Sequence, residues 1–306
     1  MSFSDADQDP AAAQAARRNA MLAIGLVVVS LIGFDLMGVL VKTLLPRYSP
    51  QELSAYRNVL GVLPSLLLML YTGEIRLRGS RLGLRQWRLA MTRGLIVALA
   101  QLFFYAAYAH LDLATVAALG QANALFTVLI GIALYRDRVG PWRWAAVILG
   151  FAGVLLIVRP GSDAFTLAAL LPVGAALCYA YSAVTMRSFD REASNALIYL
   201  YSASASAMGA IVMASLTTTF HPIRSAADAL GILTMSLLGG SAVLVMMLAY
   251  RLAPPAVLAP FGYLAILTSF FWGYVIFGEA PLDRLFPGVL LIVGAGGVIL
   301  WRQNRA

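Results

Sequence analysis

The chain has 306 residues, of which 61% are hydrophobic and only 12% charged, and its mean hydropathy is +0.82. A soluble domain carries charge on about a quarter of its residues, so lipid rather than water is the surrounding that this composition implies. The net charge of +8 does not make a nucleic-acid binder, because the arginines sit in short segments between apolar runs and form no basic face, and the single cysteine, Cys178, excludes an intramolecular disulfide.

Residues 1–19 are polar and Ala-rich, with Asp5, Asp7, Asp9 and Pro10, and read as a disordered cytoplasmic tail. Arg17 and Arg18 then precede an apolar run from Ala20 to Val41. It is too long for a signal-peptide core and has no clear cleavage site, so it is expected to stay as the first helix. A hydrocarbon core of about 30 Å needs roughly 20 apolar residues per crossing. That ruler places helices near 20–41, 53–72, 89–109, 114–135, 143–158, 166–186, 196–217, 230–250, 256–278 and 285–301. The expected fold is all-α: a polytopic membrane protein with ten transmembrane helices and a short tail at 303–306. Pro64, Pro172 and Pro260 are expected to interrupt their helices, Pro260 either as a gate hinge or as a packing irregularity.

The basic residues orient the chain. With the N-terminus inside, Lys42, Arg47, Arg57, Arg159, Arg224 and Arg284 fall outside and the other 16 of the 22 fall inside. The positive-inside rule therefore puts both termini in the cytoplasm of a cell whose inner membrane holds the protein. Trp87, Trp142, Trp144 and Trp301 agree, since all four fall at cytoplasmic helix ends. A cysteine replacing Arg81 in a Cys178→Ser background should stay unlabelled by a membrane-impermeant thiol reagent in intact cells. Strong labelling there would reverse the orientation.

The chain also resembles itself. GFDLMGVLVKTL (33–44) aligns with CYAYSAVTMRSF (178–189), and LGFAGVLL (149–156) with VGAGGVIL (293–300), at nearly the same offset. Residues 20–160 and 161–302 thus read as two repeats of five helices, and an odd number forces the copies into opposite orientations. In each repeat an acidic residue, Asp137 or Glu279, follows a helix and precedes a Gly-x-x-Gly-Val helix. The first repeat also carries Lys42, Ser49-Pro50 and Arg57. On these features the chain resembles the drug/metabolite transporter superfamily with two EamA-type repeats, and within it the YddG-type amino-acid exporters. The resemblance implies ten helices around a central cavity lined by helices 1, 3, 4, 6, 8 and 9.

No Walker A loop, HExxH or GxSxG sequence occurs, and His110 and His221 lie in outward loops. An enzyme is not expected, and neither is a metal or cofactor. What remains are polar residues inside helices, which are costly in hydrocarbon. Gln101, Tyr105 and Tyr108 recur at i, i+4 and i+7 and share one face of the third helix. Gln121 and Asn123 lie on the fourth helix, Tyr179 and Tyr181 on the sixth, Tyr250 on the eighth, and Tyr263 and Trp272 on the ninth. Rings supply contact area and hydroxyls fix orientation, which suits an amphipathic organic solute. Interhelical packing is the competing role for each of them. Asp35, alone in the first helix, is placed to bind an amine or to carry a coupling proton, or else to serve as a structural partner of Lys42 or a buried amide. Arg57 and Arg93 read as snorkelling anchors near helix ends, and the shortage of deep cations argues against phosphorylated substrates. The expected function is a secondary transporter moving small organic metabolites, amino acids or aromatic relatives, by alternating access and in the direction of export. The alternatives are a receptor or scaffold without transport, and a channel, which would need a continuous polar path.

Overall fold

The computed structural model describes residues 10–71, 73, 83–136, 140–159, 166–190, 195–253, 258 and 261–303. Asp137, Pro260 and most of the 73–88 loop lie outside them. Among the described residues the chain is helical, with no strand. The helices are α1 (Pro10–Leu44), α2 (Pro50–Leu60), α3 (Leu63–Tyr71), α4 (Trp87–Tyr108), α5 (Leu113–Gly120), α6 (Asn123–Tyr135), α7 (Pro141–Val158), α8 (Leu170–Val184), α9 (Asn195–Thr217), α10 (Ala226–Leu252), α11 (Leu264–Phe277), the single turn α12 (Leu282–Leu285) and α13 (Gly288–Gln303).

Six stretches are long and apolar enough to cross a bilayer: Arg18–Leu44, Trp87–Tyr108, Leu113–Tyr135, Leu167–Ser188, Leu197–Thr217 and Ala226–Leu252. Trp144–Val158 and Leu264–Phe277 are shorter apolar helices. The expected second span is divided between α2 and α3 at Gly61-Val62, and the fourth between α5 and α6 at Gln121-Ala122. The first helix begins at Pro10, well ahead of the Ala20 boundary read from hydropathy.

Local chemistry explains several boundaries. Ser49 caps α2: its Oγ accepts from the Glu52 amide at 3.2 Å, and Glu52 Oε2 accepts from the Ser49 amide at 2.7 Å. Pro50 follows at the first helical position, where no amide is needed. The prolines expected to interrupt helices do not all do so. Pro172 lies in the first turn of α8, where a missing amide breaks no bond, and Pro64 lies in the first turn of α3.

The extensive packing joins helices from before residue 160 to helices from after 166. α1 lies along α10, α4 along α8 and α9, α7 along α13, α2 against α9 and α10, α6 against α8, and α11 against α1 and α5. Backbones meet where side chains are absent. A Cβ on Gly240 would overlap the carbonyl of Gly61, and one on Gly94 the carbonyl of Ser202. Gly153 of α7 meets Gly288 of α13 in the same way. Gly294 and Gly297, the counterparts of Gly150 and Gly153 in the second repeat, have no heavy atom within 4 Å of the place a Cβ would take. Many large apolar side chains point outward, among them Leu155, Leu267, Phe271 and Tyr274, as a lipid-facing surface requires.

Candidate functional site

Asp35 projects from the middle of α1 and is 9% exposed. Its Oδ1 accepts a hydrogen bond from Ser269 Oγ of α11 at 2.6 Å, with the Thr268 side chain beside it. Its Oδ2 has no hydrogen-bond partner among the described residues. One turn further along α1, Gly38 lets the Tyr108 hydroxyl of α4 approach, since a Cβ there would stand 3.2 Å from that oxygen. Tyr105, one turn before Tyr108, is fully buried and points its hydroxyl at Met37 Sδ, 3.6 Å away.

Gln101 and Phe104 extend the same region of α4 towards α8. Gln101 hydrogen-bonds Tyr179, whose ring lies 5.9 Å from that of Phe104, and Phe104 stacks on Tyr108 at 6.5 Å. Arg57 of α2 completes the group. Its Nε and Met37 Sδ, which the Tyr105 hydroxyl faces, both lie against Gly239. Arg57 makes one long bond, from Nη2 to the Gly239 carbonyl at 3.5 Å, and its buried Nε has no partner. Gly239 leaves the space for it: an added Cβ would press on Met37 Sδ and come within 3.1 Å of Arg57 Nε.

Four buried side-chain polar atoms lack a hydrogen-bond partner among the described residues: Asp35 Oδ2, Arg57 Nε, Gln101 Oε1 and Thr115 Oγ1. Each such atom costs about 1–3 kcal/mol. Three of the four belong to this one cluster, which therefore holds a donor and two acceptors ready for a bound molecule.

The other sequence candidates lie elsewhere. Gln121 sits at the break between α5 and α6 and donates to the Gly262 carbonyl at 3.1 Å, next to Tyr263. Asn123 accepts from Thr127 within its own helix. Tyr181 offers its carbonyl to Thr185. Tyr250 is half exposed, and Trp272 makes an edge contact with the outward-facing Phe271.

Two arginines depart from the sequence reading. Arg57 is not an interfacial anchor but part of the interior cluster. Arg93, 9% exposed, donates from Nε and Nη2 to the Ser182 carbonyl at 3.0 and 2.8 Å and lies over the Phe189 ring. Interior cations are therefore present. Lys42 is not the partner of Asp35. It forms an ion pair with Glu279 and donates to the Leu111 carbonyl at 2.7 Å, while Glu279 Oε2 accepts from the Leu113 amide at 2.9 Å.

Further polar links tie the same end of the molecule. Arg47 pairs with Asp228 at 3.0 Å, and Tyr48 donates to Asp228 at 3.1 Å. The buried Glu52 accepts from the His221 amide and meets its ring at 3.1 Å.

The EamA-like transporter family matches residues 21–159. A riboflavin transporter of Rhizobium johnstonii is 31% identical over 221 residues, covering 72% of each chain. A riboflavin transporter of Brucella anthropi is 29% identical over 264 residues, covering 81% of this chain and 87% of its own. An S-adenosylmethionine uptake transporter of Rickettsia bellii is 24% identical over 291 residues, covering 93% and 95%. A solved crystal structure superposes with a TM-score of 0.65 at 17% identity over 92% of this chain and 97% of its own, a likeness of fold.

Proposed function

The chain belongs to the EamA-like transporter family, and from that premise we propose that it carries a small ring-bearing metabolite of the riboflavin kind into the cell through the Asp35–Arg57 cluster. The observation that carries this reading is the convergence of three unsatisfied buried polar atoms among the rings of Phe104, Tyr105, Tyr108 and Tyr179. Rings of this kind stack on a flat solute while hydroxyls fix its orientation. Relatives named as riboflavin transporters support the substrate type, and a relative named as an S-adenosylmethionine uptake transporter supports the direction.

Alternating access between two inverted five-helix repeats, residues 20–160 and 161–302, is the proposed mechanism. The packing supports it. Exchange the first five expected spans for the second five: the α1–α10 contact becomes the α8–α4 contact, α2–α10 becomes α9–α4, and α6–α8 becomes α11–α1. The pairs α7–α13, α5–α11 and α2–α9 map onto themselves, and all of these contacts exist. A pseudo-two-fold axis requires that pattern, and it places substrate near the repeat interface. The protein would then lie in the inner membrane with ten spans and both termini in the cytoplasm, and Asp35 would be the group to carry a coupling proton.

Amino-acid export is a second reading, favoured by one observation: a carboxylate and a guanidinium in one cluster match the two charges of an α-amino acid. Expression in a riboflavin-requiring bacterial host without riboflavin uptake separates the two. Growth on low riboflavin with accumulation of labelled riboflavin supports the first. Efflux of preloaded aromatic amino acids with no riboflavin accumulation supports the second. Neither activity, with the protein in the membrane, overturns both.

A further inference from the structure

We infer that the interior cluster is a split dipolar site that selects a ligand with no net charge but with a donor at one end and an acceptor at the other. The inference rests on the reading of this cluster as the substrate site and adds the charge class of the substrate. Asp35 and Arg57 carry opposite charges, and among the described residues neither makes an ion pair. The Tyr108 hydroxyl lies against Gly38, one turn along α1 from Asp35, and the Tyr105 hydroxyl faces Met37 Sδ, which flanks Gly239 together with Arg57 Nε. The free atoms differ in kind, with Asp35 Oδ2 and Gln101 Oε1 able only to accept and Arg57 Nε able only to donate.

The other interior cations are engaged. Lys42 is held by Glu279, and Arg93 is committed to the Ser182 carbonyl. A phosphate ester or other anion entering the cluster would meet Arg57 but also the carboxylate of Asp35, and an amine without an acceptor would leave Arg57 uncompensated. Uncompensated charge in a low-dielectric interior is costly. A neutral heteroaromatic with a donor and a carbonyl on its edge, or a zwitterion, satisfies both ends at once. The expectation from sequence, that phosphorylated substrates are excluded by a lack of deep cations, is thereby replaced by exclusion through charge balance.

Ligand-induced thermal stabilisation of the purified full chain in detergent tests this without requiring transport. The probes are riboflavin and tryptophan, tryptamine as a cation, and indole-3-propionate and riboflavin 5′-phosphate as anions. The wild type should be stabilised by a net-neutral probe at a concentration about tenfold below that needed for any charged one. Asp35→Asn, which leaves the site net positive, should move the preference about tenfold towards the anions. Arg57→Gln should move it towards tryptamine, and Asp35→Glu should keep the wild-type order.

An identical order of probes in wild type, Asp35→Asn and Arg57→Gln would overturn the inference, and so would a wild type that no probe stabilises or that prefers a charged one. If a variant does not fold, the wild-type order and Asp35→Glu still decide. Binding in the expected order without flux in cells would defeat the transport reading and leave this one standing.

Discussion

Asp35→Asn should reduce uptake about tenfold to a hundredfold while the protein folds and inserts normally. Asparagine keeps the oxygen that accepts from Ser269 Oγ, so the link between α1 and α11 survives. What is lost is the charged oxygen with no partner among the described residues, and a hydrogen bond to a charged group contributes about 1.5–3 kcal/mol. If Asp35 also carries a proton, the residual flux should lose its dependence on external pH. Uptake assays on membranes matched for protein content, with melting temperatures in detergent, make the comparison. A structural role predicts the reverse: a lowered melting temperature with flux per folded molecule intact.

Glu279→Gln should loosen the expected outer end of the molecule. Glu279 joins three segments, pairing with Lys42 of α1 and accepting from the Leu113 amide at the start of α5. Removal of its charge leaves Lys42, mostly buried, with the Leu111 carbonyl and the ring of Phe277 but no anion among the described residues, and the loss should be about 1–3 kcal/mol. Tyr108 lies just below this link on α4. In a Cys178→Ser background, a Tyr108→Cys thiol should react faster with an impermeant reagent from outside when Glu279→Gln is present, and at an intermediate rate with Glu279→Asp. An unchanged rate would show that the ion pair does not restrain opening at that end.

These two residues also show how far a sequence can be read. The apolar runs located the six long spans because hydrocarbon thickness fixes their length, and the 101–105–108 spacing placed two tyrosines and a glutamine on one helix face. Partners were not legible. Ser269 lies 234 residues from Asp35 and Glu279 far from Lys42, so no spacing within α1 could name either partner.

Arg57 was misread for a related reason. Near a helix end an arginine ordinarily snorkels, but α2 begins at the capped Pro50 and stops at Leu60, and the room for the side chain is made by the missing Cβ of Gly239 on α10. Tyr250 and Trp272 were hard to orient because both faces of a membrane helix are apolar. Helical periodicity then says little about which face meets lipid.

Uptake of labelled riboflavin by proteoliposomes containing only the purified protein tests the central claim most directly. The account predicts saturable accumulation above that of empty liposomes, acceleration when unlabelled riboflavin is trapped inside, and little competition from riboflavin 5′-phosphate. Riboflavin entry no faster than into empty liposomes, with the protein folded and correctly reconstituted, would contradict it.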